Sequence, residues 1–168
     1  ESVFSSSSLQ KVNYGGSVAQ WRQIDNATEY YLNNVLYIDG VRTSLFGSDM
    51  YWSFNNSTLT IGGSGEMTGF SHNGTISNAP WSEYANDIHH AVISEGITNI
   101  GFAAFYRFAN LTSVSIPASV TTIDASVFYG CSGLKDIYYG GTLEQWQAIE
   151  VGRDNRPVDS AILYINNR

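Results

Sequence analysis

Three histidines and one cysteine are the residues of this 168-residue chain best suited to metal binding or nucleophilic chemistry. The histidines are His72, His89 and His90. Adjacent strand residues point to opposite faces, so His89 and His90 would need further ligands that the sequence does not place. Cys131 is the only cysteine, which excludes an internal disulfide, a CxxC redox site and a cysteine-based zinc site. We therefore expect no bound metal.

The glycine-rich segment from Gly62 to Gly65 fails the patterns of catalytic and phosphate-binding loops. Glu66 stands where the G-x-S-x-G nucleophile elbow requires glycine. Gly69 lies at the wrong spacing for a dinucleotide fingerprint, and the sequence has no Walker motif. Paired carboxylates for glycoside hydrolysis stay open among the 15 acidic residues, although most of these fall in predicted caps or turns. The sequence thus favours a non-enzymatic protein without nucleotide or organic cofactor.

The composition limits the classes of molecule that this chain could bind. The chain has 8 Lys or Arg against 15 Asp or Glu, a net charge of -7. Because cations are sparse, we expect no binding to nucleic acid or to anionic membranes. No stretch approaches about 18 consecutive apolar residues, so we expect no membrane insertion in this segment. Apolar residues make up 43% of the chain, which indicates a folded protein.

Residues 91–111 and 114–134 are two copies of one pattern. Five apolar pairs recur 23 residues apart: Ile93 and Ile116, Ile97 and Val120, Ile100 and Ile123, Phe105 and Phe128, Leu111 and Leu134. A third, partial copy begins at Leu134. Each copy can bury its apolar residues only against its neighbours, which predicts a solenoid with two short strands per repeat. Phe105 and Phe128 should be buried and stacked in a tight helical or 3₁₀ turn.

A second repeat has an offset of 125 residues. The string YGGSVAQWRQI at 14–24 matches YGGTLEQWQAI at 139–149, and LYI occurs at 36–38 and at 163–165. We therefore expect the chain to be an excised piece of a longer array. Both copies contain a capping box, which predicts a short helix after Ser17 and after Thr142. Trp21 and Trp146 should then be buried over the open end of each repeat block.

The middle of the chain has a different character. Residues 51–54 and 58–61 alternate in polarity around Asn55-Asn56-Ser57, which predicts a β-hairpin. Pro80 favours a short helix running through Trp81 and Tyr84. We divide the chain into three regions: 1–40, the end of a preceding repeat block with its cap; 41–87, a hairpin and loop segment; and 88–168, the repeats with a C-terminal cap.

The strings GITNIGFAAFYRFANLTSVSIPASVTTIDASVFYGCSGL and IYYGGTLEQWQAI resemble the BspA-type leucine-rich repeat family of bacterial surface proteins. The resemblance implies a β-rich solenoid of right-handed coils, with short strands, short helical or 3₁₀ turns and helix-containing caps. It also implies an extracellular protein, secreted or attached to the cell wall, that acts in adhesion or protein–protein interaction. No catalytic residue carries over. Arg107-Phe108 departs from the Gly-Cys that the family pattern prefers.

Strand alternation predicts the face that would bind a partner. If the apolar residues of the three repeat strands face the core, the intervening ones form a solvent-facing ladder. That ladder consists of His90, Val92, Ser113, Ser115, Asp136 and Tyr138. We expect an extracellular protein ligand there, such as a host matrix or surface protein. A glycan is the alternative, because the 11 Tyr and 4 Trp residues offer rings on which sugars could stack.

Overall fold

The computed structural model describes residues 12–14, 20, 23, 36–38, 41–46 and 49–165. Two predicted features lie outside these residues: Ser17, which begins the first capping box, and Trp21, the ring expected over the open end of the first repeat block. Most of the described secondary structure consists of strands, arranged in one sheet of nine strands and another of four.

The larger sheet joins the two ends of the chain to the repeats. In sheet order its strands are β1 (Val12–Tyr14), β2 (Leu36–Ile38), β3 (Val41–Phe46), β4 (Met50–Asn55), β5 (Thr58–Gly63), β7 (His90–Ile93), β9 (Ser113–Ile116), β11 (Asp136–Tyr139) and β13 (Ile162–Ile165). From β2 to β5 each strand is antiparallel to the next, and all other neighbouring pairs in this sheet are parallel. The predicted hairpin at residues 51–61 is confirmed as β4 and β5.

The smaller sheet collects the second strand of each repeat. Its order is β12 (Glu150–Val151), β10 (Thr122–Ile123), β8 (Ile97–Ile100) and β6 (Gly65–Glu66), all parallel. Ile97, Ile100 and Ile123 are fully buried, as the 23-residue repeat predicts. Because the apolar positions recur at a constant offset, equivalent residues of successive repeats lie in register across both sheets.

The turns that contain Phe105 and Phe128 differ from the expected helical turns. Bonds of the 3₁₀ type occur, such as the one from the Phe108 N–H to the Phe105 carbonyl (3.1 Å). However, Ala103 and Arg107 have φ values of 56° and 61°. Each left-handed residue interrupts the right-handed path, so the segment is a series of turns and not a continuous helix.

These turns are joined to each other by backbone hydrogen bonds. In the first repeat the N–H groups of Ala103, Phe105 and Arg107 donate to the carbonyls one position before the equivalent residue of the next repeat, at Ala125, Val127 and Tyr129. The distances are 3.4, 3.0 and 2.6 Å. The backbone N–H groups in the turn of one repeat are therefore satisfied by the turn of the next.

An aromatic column runs through the core between the two sheets. The rings of Phe105 and Phe128 are both fully buried and stacked, with centroids 5.5 Å apart and planes within 4°. This confirms the predicted pairing. Trp81 continues the column below Phe105 at 6.3 Å, and its indole N–H donates to the Ala104 carbonyl (2.9 Å). Trp81, Phe105 and Phe128 all belong to one hydrophobic core.

Short helices lie at the edges of the core. A single 3₁₀ turn spans Ser82–Tyr84, where Pro80 predicted a helix start. Helix α1 (Leu143–Gln147) has the predicted capping box, since the Thr142 hydroxyl accepts from the Gln145 N–H and the Gln145 side chain accepts from the Thr142 N–H. Helix α2 spans Arg156–Ser160.

Trp146 of α1 corrects one expectation, because its ring is half-buried and not fully buried. One edge contact to Tyr139, at 5.3 Å, holds it at the rim of the core. The other side chains of α1 are exposed, so this five-residue helix covers too little area to enclose the ring.

Candidate binding face

The structure places all six residues of the predicted ladder on the outer side of the larger sheet. They form two rows across the strands β7, β9 and β11. One row pairs His90 with Ser113 and Ser113 with Asp136. The other pairs Val92 with Ser115 and Ser115 with Tyr138. The 23-residue spacing therefore brings these residues side by side, as the sequence predicts.

Burial separates the two sides of these strands. The inward residues of the three strands have at most 3% of their surface exposed: Ala91, Ile93, Val114, Ile116, Ile137 and Tyr139. The outward residues are exposed or half-buried. The outward side chains are therefore at least partly accessible to a ligand.

Two tyrosines form the most prominent feature of the face. Tyr138 on β11 and Tyr164 on β13 are paired in register, with centroids 4.8 Å apart and planes within 17°. Each is 43% exposed. One face of each ring is occupied by the other. On its other side Tyr138 is paired with Ser115 of β9, which has a short side chain.

Polar groups flank the aromatic pair. His90 and Ser113 are joined by a 2.8 Å contact between the imidazole Nδ1 and the hydroxyl Oγ. Asp136 is the one carboxylate in the two rows, and its negative charge raises the pKa of the nearby Tyr164 phenol above its ordinary value. The face thus combines hydrogen-bonding groups, an aromatic pair and little charge, which suits a ligand with mixed polar and apolar character.

The ladder extends beyond the six predicted residues on both sides. Ile162 pairs with Asp136 and Tyr164 with Tyr138, so β13 extends both rows. On the other side, Thr58 pairs with His90 and Thr60 with Val92. The LYI string that recurs near both ends of the chain contained the signal for Tyr164, because its middle residue alternates with two apolar ones.

The remaining chemical candidates lie apart from one another. Cys131 is buried and donates to the Phe105 carbonyl (3.0 Å), and burial raises its pKa to about 12. His72 is stacked on Tyr106 with centroids 4.0 Å apart, on the turn side of the repeats. Within the part of the chain that the structure describes, no three His, Cys, Asp or Glu side chains converge on a possible metal position. The same residues include no helix long and apolar enough to cross a bilayer.

Comparison with known proteins adds a family to this geometry. Residues 72–148 match the family model described as a BspA type leucine rich repeat region (six copies). No curated protein matches the chain. A crystal structure of a leucine-rich repeat protein from Eubacterium ventriosum is similar, with a TM-score of 0.55 and 24% identity over 66% of this chain. The chain spans 27% of that protein, and the likeness concerns the fold.

Both comparisons indicate a leucine-rich repeat fold, and neither indicates a catalytic family. Repeats of this kind generally mediate protein binding. Residues 72–148, somewhat less than half of the chain, are therefore similar to a BspA type leucine rich repeat region.

Proposed function

We propose that this chain is a non-enzymatic protein-binding module of a secreted or cell-surface bacterial protein, and that the outer side of the larger sheet is its binding face. The partly exposed double row from Thr58 to Tyr164 carries the proposal. We further propose that the two sheets form opposite sides of a right-handed solenoid, with the three regions 1–40, 41–87 and 88–168 as successive parts of it.

A partner that binds this face pays an entropic cost for each side chain that it immobilises. Tyr138 and Tyr164 already hold each other in place by stacking, so a partner that contacts them loses little additional side-chain entropy. Tyrosine is also among the residues enriched at binding hot spots. The small side chains of Ser113 and Ser115 leave room beside the rings for a partner's side chain. A protein ligand can use both the apolar rings and the adjacent hydroxyl groups.

A glycan ligand is the second candidate, and one observation favours it. The ring face of Tyr138 that Tyr164 leaves open is on the side of Ser115, where a sugar ring could stack. Since the stacking takes one face of each ring, we rank glycan binding below protein binding.

The test begins with a panel of immobilised extracellular-matrix proteins beside a glycan array. Any ligand found is then titrated against Tyr138→Ala and Ser115→Arg. Tyr129→Ala is the matched control, because Tyr129 is 41% exposed and stacked on Tyr106 but lies on the turns, away from the sheet. We expect at least tenfold weaker binding for the two face variants and unchanged binding for the control. Unchanged affinity in folded Tyr138→Ala and Ser115→Arg would place the site elsewhere.

A further inference from the structure

The loop that precedes the first repeat holds an Asn-Gly pair, Asn73-Gly74, in a defined turn. Its base is closed by an isolated antiparallel bridge between His72 and Ser77. Inside that bridge the Asn73 N–H donates to the Ile76 carbonyl (3.2 Å), which closes a four-residue turn. No other asparagine of the sequence is followed by glycine. The fold thus fixes the backbone on both sides of this pair.

The side-chain oxygen of Asn73 accepts two backbone hydrogen bonds. The N–H groups of Thr75 and Ile76 both donate to Oδ1, each at 2.9 Å. Two donors on one carbonyl oxygen draw electron density from the carbonyl carbon. They also stabilise the negative charge that would form on the oxygen if a nucleophile attacked that carbon. The Asn73 side chain is therefore held as an electrophile.

The nearest nucleophile is the backbone nitrogen of Gly74, which would close a five-membered ring with the side-chain carbonyl carbon of Asn73. Its N–H donates to Nδ1 of His72 (3.2 Å). An imidazole nitrogen that accepts a hydrogen bond is unprotonated and can take up the proton. Glycine has no Cβ to obstruct the ring closure. A base therefore contacts the nucleophile while two donors contact the electrophile.

The imidazole of His72 is oriented by the repeats. It is stacked on Tyr106, with centroids 4.0 Å apart and planes within 11°. Tyr106 is only 7% exposed, so its ring is a fixed support, and its hydroxyl lies 3.5 Å from the Gly74 carbonyl oxygen. A base that is already oriented loses little entropy when it reacts. The repeat fold, and not the loop alone, therefore positions the base.

We propose that Asn73 is a site of self-catalysed deamidation, through a succinimide formed with Gly74 and with His72 as the general base. The Gly74 amide proton passes to Nδ1 of His72 as the Gly74 nitrogen bonds to the side-chain carbonyl carbon of Asn73. The negative charge then lies on Oδ1, opposite the two N–H donors. The bond from that carbon to Nδ2 breaks, the imidazolium returns the proton to Nδ2, and ammonia leaves. Water opens the succinimide at either carbonyl.

The two products differ in their effect on the loop. Opening at one carbonyl gives aspartate, which keeps an oxygen to accept from Thr75 and Ile76. Opening at the other gives isoaspartate, which adds one carbon to the backbone of the turn and should separate His72 from Tyr106. Either product places a new carboxylate beside the turns of the repeats. The change is one-way and involves no residue of the proposed binding face.

The test measures the rate of this change in the full chain at neutral pH. Samples are digested at intervals, and mass spectrometry follows the gain in mass when the Asn73 amide becomes an acid. The same chain unfolded in urea is the reference, because it keeps the Asn-Gly pair and His72 but not their arrangement. A well-placed general base contributes about 10²–10⁴-fold in enzymes, and for this exposed site we expect deamidation at least about tenfold faster in the folded chain.

Variants identify the base. His72→Phe keeps a ring that can stack on Tyr106 but removes the acceptor for the Gly74 N–H. We expect the folded variant to deamidate at least about fivefold more slowly than the parent. His89→Phe is the matched control, since His89 is another exposed histidine and lies outside this loop; it should deamidate at the parent's rate. Asn73→Asp supplies the aspartate product as a chromatographic standard.

Three results would overturn the proposal. One is a rate at Asn73 that is no faster in the folded chain than in urea. Another is an unchanged rate in folded His72→Phe; if that variant does not fold, an unchanged rate in His72→Gln, whose amide is a far weaker base, has the same meaning. The third is deamidation at other asparagines while Asn73 stays intact. Tyr138→Ala and Ser115→Arg should deamidate as the parent does, so this proposal and the proposed binding face fail independently.

Discussion

Replacing Asn155 with alanine should destabilise the protein more than its place in a surface turn suggests. Asn155 is 5% exposed, and its side-chain oxygen accepts from the Phe128 N–H (2.9 Å). Its amide group donates to the carbonyls of Asp124 (2.8 Å) and Gly152 (2.9 Å). In the preceding repeat the equivalent N–H, of Phe105, is bonded to a backbone carbonyl. The Asn155 side chain thus replaces the backbone of a further repeat.

The magnitude follows from the groups that Asn155→Ala would leave without partners. The Phe128 N–H lies in the core, and an unsatisfied buried donor costs about 1–3 kcal/mol. The two carbonyls belong to half-buried residues that water can reach, so they add about 1 kcal/mol together. We expect a loss of about 2–4 kcal/mol in the free energy of unfolding. For a domain of this size that lowers the melting temperature by roughly 4–16 °C.

Urea denaturation followed by circular dichroism measures this loss. Asn110→Ala is the matched control, because Asn110 also donates its amide to a backbone carbonyl, that of Asn86 (2.8 Å), but is exposed. The control should change stability by less than about 1 kcal/mol. If Asn155→Ala were no more destabilised than Asn110→Ala, the proposed role of the Asn155 side chain as a substitute for the backbone of a further repeat would be refuted.

The substitution Asn155→Asp adds a test of pH dependence. It keeps the oxygen that accepts from Phe128 but directs a carboxylate at two carbonyl oxygens. Folding should therefore raise the pKa of the introduced carboxyl above the roughly 3.9 of a free aspartate. An acid with a raised folded pKa loses stability as the pH rises above its unfolded pKa. The variant should thus be closer to the parent at pH 4 than at pH 7, and the opposite trend would contradict the geometry.

Four further outcomes are expected. Phe128→Ala should cost about 3–5 kcal/mol, because it removes a fully buried ring stacked on Phe105; a melting temperature within a degree of the parent would contradict the repeat register. Cys131 should react with iodoacetamide at pH 8 only after unfolding, since burial raises its pKa to about 12. For the same reason, the free energy of unfolding should fall as the pH rises above the ordinary thiol pKa of 9.0. Arg107→Gly should be neutral or stabilising by up to about 1 kcal/mol in thermal melts, because Arg107 has a φ of 61° where the next repeat has Gly130 at 74°. Tyr138→Ala should cost less than about 1 kcal/mol, the value of an exposed cross-strand pair, which keeps it usable as a binding variant.

The parts of the fold that the sequence predicts are those that recur. The constant offset between Ile93 and Ile116, and between Phe105 and Phe128, places equivalent residues in register, because each repeat can satisfy its apolar side only against the next. The six outward residues follow from the same offset and from strand alternation. The recurring apolar positions alone therefore predict which residues of the repeats are buried.

The parts that the sequence does not predict occur once or depend on backbone geometry. The left-handed residues Ala103 and Arg107 have no glycine to indicate them, although Gly130 marks the equivalent position one repeat later. Asn155 substitutes a side chain for a backbone group and has no counterpart 23 residues earlier. The half-burial of Trp146 depends on how much area α1 covers, which its apolar spacing does not reveal.

The regular offset between strands also bears on how the chain folds in time. Neighbouring strands of the repeats, such as β7 and β9, begin only 23 residues apart, so the entropy lost in bringing them together is modest for a β-rich protein. The hairpin of β4 and β5 is more local still, because only Asn56 and Ser57 separate its strands. It can form first and offer β5 as a template for β7. We expect folding to proceed outward from this hairpin, one repeat at a time, towards β13.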